Sequence, residues 1–137
     1  MTEENQAYMS IKLKDRSTFS KTVTEADIVA FAGVTGDFNP LHVDEVAARK
    51  TFFRGRIAHG ILSAGFISTT LANLPGTVVY ISQTLAFIRP VRIGDTITAI
   101  SEVIEKRDDK NELLLKTVCQ NQDGEIVLDG EAVVRIV

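Results

Sequence analysis

Asp37 and His42 stand five residues apart in the segment GDFNPLH, and together they can exchange a proton with a bound water. Histidine changes its charge near neutral pH, and a carboxylate can hold or receive its proton. Positioned acid and base groups of this kind each contribute roughly 10²–10⁴-fold to catalysis. The pair is therefore the candidate catalytic dyad. The alternative is a capping aspartate and a surface histidine on an ordinary loop.

The residues around the two side chains are turn formers. Gly36, Asn39 and Pro40 favour a bend, and proline disfavours helix in the residue before it. The pattern predicts a tight, non-helical bend that lets Asp37 and His42 reach one cleft. Asn39 is expected to brace this turn, and we retain it as a substrate-binding candidate.

The segment Phe31–Ala48, FAGVTGDFNPLHVDEVAA, resembles the hydratase 2 motif of MaoC-like (R)-specific enoyl-CoA hydratases. The shared features are an aromatic residue, a small residue, the series Gly-Asp-x-Asn-Pro-x-His and a small residue further on. The likeness continues through IAHG at 57–60 and QTLAFIRPVRIGD at 83–95, so it covers most of the chain. It implies a hot-dog fold and reversible hydration of a trans-2-enoyl-CoA to the (R)-3-hydroxyacyl-CoA, with no metal or organic cofactor.

The resemblance also implies roles for single residues. Asp37 and His42 would bind one water, take a proton from it and deliver a proton to C2 of the substrate. The main-chain N–H of Gly60, at a helix start, would hold the charge that develops on the thioester oxygen. Ser63 and Gly65 follow along the implied acyl pocket and are substrate-binding candidates. For these two small residues, close packing of helix against sheet is the alternative.

A metal site is a weaker hypothesis for the same neighbourhood. His42, Asp44 and His59 contain two imidazoles and one carboxylate, the donor set of a common metal triad. The spacing shows no further carboxylate to orient the ligands, and the Asp37 motif already accounts for the segment. We therefore expect His59 to be a helix-start residue beside Gly60.

The lone cysteine and the arginines complete the candidate chemistry. Cys119 lies in an apolar strand without a nearby histidine, so we expect buried packing rather than a nucleophile, and one cysteine fits a reducing compartment. Four basic side chains are candidates for the phosphates of a coenzyme A or phosphopantetheine carrier: Arg54, Arg56, Arg89 and Arg92.

Composition excludes several classes of protein. The 137 residues are 45% hydrophobic and 24% charged, which predicts a single domain, 1–137, with one core. A net charge of -3 and the absence of a dense basic stripe argue against nucleic acid as a partner. The polar start MTEENQAYMS and the absence of an apolar run of about 20 residues predict a cytoplasmic protein without a membrane span.

Periodicity predicts helices in the first half and strands in the second. Short helices are predicted over 24–34 and 44–50, and one longer helix over 59–74, where no charged residue occurs. A helix without a charged face is expected to be buried on all sides. Apolar alternation predicts strands over 79–87, 95–105, 112–120 and 126–136, with turns at 108–111 and at Asp123-Gly124.

These elements predict an α+β protein with the hot-dog fold, a long central helix wrapped by a curved antiparallel sheet. An α+β sheet with a less central helix is the alternative. An isolated hot dog leaves a sheet edge and apolar surface uncovered, so a homodimer is expected. The function alternatives are a 3-hydroxyacyl-acyl-carrier-protein dehydratase, an acyl-CoA thioesterase and a non-catalytic acyl-CoA-binding protein. The intact Asp37 and His42 motif argues against the last two.

Overall fold

A computed structural model describes residues 2–137 as six strands and five helices. The elements in chain order are α1 Glu3–Ser10, β1 Arg16–Thr22, α2 Glu25–Thr35, α3 Pro40–Val43, α4 Glu45–Arg49, α5 Gly60–Ala72, β2 Val78–Gln83, β3 Ala86–Phe87, β4 Thr96–Arg107, β5 Glu112–Gln120 and β6 Ile126–Ile136. The sheet is antiparallel throughout, with the strand order β1-β4-β5-β6-β2, and β3 also pairs with β6.

The three long strands form the centre of the sheet, and their turns lie where the sequence predicts them. Residues 108–111 connect β4 to β5, and Asn111 adopts a left-handed φ of 51°. Gly124, with φ of 77°, closes the β5–β6 hairpin. Inward side chains alternate with outward ones along β4, as expected for a sheet that has one face on the core.

Helix α5 packs on the concave side of the sheet, which confirms the hot-dog arrangement. Phe66, Ile67 and Leu71 on its inner face belong to the hydrophobic core, together with side chains of β4, β5 and β6. The prediction that this helix is buried on all sides is wrong for the single chain. Ile61 is 51% exposed, and Gly65 and Ser68 on the same helix are exposed as well. The absence of charge therefore marks a face that no other part of the described chain covers.

Helices α2 and α4 confirm the two short helices predicted over 24–34 and 44–50. Thr24 caps α2 in a capping box with Asp27, and the Asp44 side chain caps α4. Three elements were not predicted from the sequence, namely α1, α3 and β1. Helix α1 is polar and buries only Tyr8, and β1 is an edge strand whose sole large apolar side chain is Phe19. No helix within residues 2–137 combines the length and the apolar character that crossing a bilayer requires.

A close backbone approach separates β2 from β3. The carbonyl of Thr84 lies so near Gly130 of β6 that a β-carbon at Gly130 would collide with it. Only glycine leaves that space free. The N–H of Thr84 in turn donates to the carbonyl of Glu131, and the N–H of Glu131 donates to Oγ1 of Thr84, at 2.9 and 3.0 Å. The chain thus stays close to β6 at this glycine, between β2 and β3, which both pair with β6.

Candidate active site

The bend that carries Asp37 and His42 begins at the end of α2. Gly36 ends that helix in the left-handed region, with φ of 80°, where glycine is favoured. Asn39 then caps α3, because its Oδ1 accepts a hydrogen bond from the N–H of Leu41 at 3.1 Å, and Pro40 occupies the first helical position. His42 therefore lies in a helical turn, which corrects the predicted non-helical bend. Asn39 braces the turn as expected, and its contact with substrate stays a prediction.

The structure brings the predicted dyad together. A carboxylate oxygen of Asp37 and one ring nitrogen each of His42 and His59 all lie within 4.8 Å of one another. A single water can bridge polar atoms at such a separation, because each hydrogen bond spans about 2.8 Å. Asp37 is exposed, and its Oδ1 accepts a hydrogen bond from the N–H of Asn39, whereas His42 is only 8% exposed.

A hydrogen bond to the main chain defines the tautomer of His42. Nδ1 lies 2.8 Å from the carbonyl oxygen of Ile57, and because a carbonyl only accepts, Nδ1 carries the proton and donates it. In the neutral ring Nε2 then has a free lone pair. Arg56 supports the same turn, since its Nε donates to the carbonyl of His42 at 2.6 Å and its Nη1 to the carboxylate of Glu25 at 2.7 Å.

His59 lies against the dyad, a position that the sequence suggested only through the weaker metal hypothesis. It precedes α5 and is 2% exposed. Its Nε2 lies 2.9 Å from the main-chain carbonyl of Asp37, and its ring stacks on that of His42 with centroids 4.0 Å apart. The ring of Phe31 lies on it too, at 4.7 Å. Nδ1 of His59 is buried and has no hydrogen-bond partner among residues 2–137.

A cavity of about 370 Å³ opens beside His42, and Asp37 is not part of its lining. His42, Gly60 and Ser63 contribute to its wall, and most of the remaining lining is apolar. Gly60 is the first residue of α5, and within the described chain its N–H finds no acceptor. A β-carbon at Gly60 would lie 2.6 Å from two ring carbons of Phe87, so the ring covers the bare α-carbon.

The two pocket candidates on α5 differ in position. Ser63 is 2% exposed and lines the cavity, and its hydroxyl is buried without a partner among the described residues. Gly65 lies on the exposed side of the helix and outside the cavity lining, and a β-carbon there would meet nothing within 4 Å. The structure therefore brings Ser63 to the cavity and leaves Gly65 outside it. The alternative of close helix–sheet packing does not hold for Gly65 in the single chain, and its contact with substrate stays a prediction.

Two of the four arginines proposed to contact carrier phosphates form hydrogen bonds within the protein instead. Arg56 holds the His42 turn, and Nη2 of Arg92 donates to the carbonyl of Phe53 at 2.6 Å. Arg89 lines the cavity and lies 3.3 Å from the carboxylate of Glu125 on the surface. Arg54 is exposed. Arg54 and Arg89 remain the candidates for a phosphate contact.

Cys119 is fully buried in β5, as expected for a packing residue. Burial raises the pKa of its thiol to about 12. Its Sγ–H donates to the carbonyl of Ser63 at 3.5 Å. A thiol with such a high pKa is not ionised near neutral pH, so Cys119 does not supply a nucleophile.

Comparisons with known proteins show the family to which the chain belongs. Residues 9–123 match the family described as MaoC like domain. The (R)-specific enoyl-CoA hydratase of Rhodospirillum rubrum is 44% identical over 131 residues, which cover 94% of this chain and 90% of that protein. A mitochondrial 3-hydroxyacyl-[acyl-carrier-protein] dehydratase of Arabidopsis thaliana is 40% identical, with 89% and 75% covered. The solved (R)-hydratase of A. caviae superimposes with a TM-score of 0.89 at 37% identity, over 93% of this chain and 98% of that one.

Proposed function

The chain belongs to the MaoC-like domain family, and we propose that it catalyses the reversible (R)-specific hydration of a trans-2-enoyl-CoA to the (R)-3-hydroxyacyl-CoA. The observation that carries this proposal is the approach of the Asp37 carboxylate to the His42 ring beside an apolar cavity. The activity for which the Rhodospirillum rubrum relative is named supports it.

Substrate binding prepares the double bond for attack. The acyl chain enters the apolar cavity, and the thioester carbonyl oxygen accepts a hydrogen bond from the N–H of Gly60. This donor stands at the positive end of the α5 dipole, so it stabilises negative charge on that oxygen. Withdrawal of electron density toward the oxygen makes C3 electrophilic.

The dyad of Asp37 and His42 then binds one water and accepts a proton from it. Asp37 and Nε2 of His42 accept hydrogen bonds from it, and one of its protons passes to the dyad as its oxygen bonds to C3. The dyad returns a proton to C2, so one water is added and both groups end in their starting protonation states. The bond from Nδ1 of His42 to the Ile57 carbonyl keeps Nε2 available for this transfer.

A direct assay tests the reaction. Crotonyl-CoA incubated with the protein should lose its enoyl-thioester absorbance, and chiral chromatography should identify the (R)-3-hydroxy product. Free coenzyme A should not accumulate. Release of coenzyme A would indicate a thioesterase, a predominantly (S) product would contradict the proposed stereochemistry, and binding without turnover would indicate a non-catalytic acyl-CoA-binding protein.

A second candidate function differs from the first in the carrier of the acyl group. A 3-hydroxyacyl-acyl-carrier-protein dehydratase would use the same dyad in the reverse direction, and the name of the Arabidopsis thaliana relative favours this alternative. Comparison of kcat/KM for crotonyl-CoA and for the same acyl group on acyl carrier protein decides between them. A strong preference for the protein carrier would replace the coenzyme A proposal.

The proposed reaction needs no metal or organic cofactor. Asp37, His42 and His59 approach one another, but the two imidazole rings are inclined by only 32° with centroids 4.0 Å apart. An imidazole binds a metal through a lone pair in its ring plane, and lone pairs of stacked rings do not converge on one ion. Activity should therefore be unchanged after dialysis against a chelator, whereas a loss that zinc or iron restores would contradict this.

We also propose a homodimer. In the single chain, Ile61 on α5 and the edge strand β2 are uncovered, and Val79, Tyr80 and Ile81 of that strand are each at least 40% exposed. A second copy that pairs with this edge would cover both its apolar side chains and its free backbone groups. Sedimentation should give a mass near twice 15.0 kDa. A stable, active monomer would refute the proposal.

A further inference from the structure

His59 contacts each part of the site that the proposed reaction uses, although it does not line the cavity. Its Nε2 reaches the main-chain carbonyl of Asp37, and its ring stacks on the ring of His42. The next residue along the chain is Gly60. A buried side chain in this position cannot touch substrate, but it can set the distances between the groups that do.

The loop that carries Asp37 has few other attachments. Gly36, Asp37 and Asn39 form hydrogen bonds whose other partners, within the described chain, all belong to residues 31–42. The bond from Nε2 of His59 is the exception, and it comes from a residue 22 positions further along the chain. It ties the loop to the start of α5.

Both histidines are held in a defined tautomer by this network. Nε2 of His59 faces a carbonyl, which only accepts, so Nε2 carries the proton and Nδ1 has the lone pair. His42 has the opposite arrangement, with the proton on Nδ1. His59 thus donates to the Asp37 loop, while His42 presents a lone pair to the proposed water.

We propose that His59 is a positioning residue, which holds the Asp37 loop by a hydrogen bond and the His42 ring by stacking so that both groups face the same water. The inference rests on the proposed hydration reaction. Among residues 2–137, Nδ1 of His59 is buried without a hydrogen-bond partner, and an unpaired buried polar atom lowers stability. An apolar side chain would fill the space at lower cost but could not donate to Asp37.

Two substitutions separate the contributions of His59. His59→Phe keeps an aromatic ring against His42 and removes the donor, and His59→Gln keeps a donor nitrogen and removes the aromatic stack. We expect His59→Phe to lower kcat by about 10- to 10²-fold, the range that a displacement approaching 1 Å produces, with little change in KM. His59→Gln should recover a large part of that loss. Tyr8→Phe, which removes a hydrogen bond to Asp108 at the far end of the sheet, is the control and should keep its kcat.

A wild-type kcat in His59→Phe would overturn the inference, as would equal losses in both His59 variants that merely follow their melting temperatures. A second readout does not depend on turnover. The chain has two histidines, so their ¹⁵N signals can be assigned with the His59→Phe variant. We expect the proton on Nδ1 of His42 and on Nε2 of His59. The same tautomer for both rings would contradict the proposed hydrogen bond from His59 to the Asp37 carbonyl. If the wild-type protein hydrates no enoyl-CoA, the proposed function fails, but the spectra still test the hydrogen bond from His59 to the Asp37 loop.

Discussion

A single methyl group added at Gly60 should test the geometry of the whole site. Its β-carbon would lie 2.6 Å from Cδ1 and Cε1 of Phe87, whereas ordinary contacts begin at 3.4 Å. Either the ring or the start of α5 must then move by most of an ångström. Phe87 is 55% exposed and is therefore the group free to move, but its ring is also part of the cavity wall.

We expect Gly60→Ala to lower kcat/KM for crotonyl-CoA by about 10- to 10²-fold, because a misplacement near 1 Å costs up to about 10²-fold. The substitution keeps the main-chain N–H, so the loss would come from displacement and not from a missing donor. Stability should change by less than about 3 kcal/mol, the upper range for an added methylene in a packed site. Initial rates and thermal melts measure the two effects.

The double variant Gly60→Ala/Phe87→Ala identifies the cause. If the clash with Phe87 is responsible, its kcat/KM should return to that of Phe87→Ala alone. Gly33→Ala serves as a control, because a β-carbon at this exposed position of α2 meets nothing within 4 Å, and it should retain full activity. Wild-type kcat/KM in Gly60→Ala would refute the reasoning that contact between Gly60 and the Phe87 ring sets the geometry of the site.

Three further outcomes are expected. Asp37→Asn and His42→Ala should each lower the rate of crotonyl-CoA hydration at least about 10²-fold with the circular dichroism spectrum unchanged, and the double variant should lose little more; near-wild-type rates would reject the dyad. Ser63→Ala should leave the melting temperature unchanged or higher, because the Ser63 hydroxyl has no hydrogen-bond partner within residues 2–137. Thr70→Val, in contrast, should lower the free energy of unfolding by about 1–3 kcal/mol, because it removes the buried hydrogen bonds of the Thr70 hydroxyl to Ile67 and Ser101. Iodoacetamide should modify Cys119 only after unfolding, since burial raises the pKa of its thiol to about 12; rapid labelling of the folded protein would contradict this.

The local features of the site could be predicted because they depend on neighbouring residues. Gly36 and Pro40 define a turn by their own backbone preferences, and the capping box of Thr24 with Asp27 marks the start of α2. The hairpin at Gly124 follows the same logic. From Ala132 to Ile136, strand β6 alternates as its sequence predicts, whereas at its start the neighbours Val127 and Leu128 are both buried.

The contacts that depend on distant parts of the chain could not be predicted. Strand β1 is polar, and its place at the sheet edge follows from pairing with β4, more than 70 residues later. The stack of His59 on His42 is set by how α5 meets α3, which the spacing of two histidines does not encode. The exposed side of α5 was mispredicted as buried because an uncharged composition favours a covered surface without indicating whether the same chain covers it.

The close approach at Gly130 links the edge of the sheet to the wall of the cavity. Strands β2 and β3 pair with β6 on either side of this approach, and Phe87 of β3 begins the segment of the wall that continues through Ile88 and Arg89. A β-carbon at position 130 would lie 1.8 Å from the carbonyl oxygen of Thr84, so any side chain larger than that of glycine must displace this part of the edge. Position 130 is therefore a place where the cavity wall can be moved without a change in any residue that lines it.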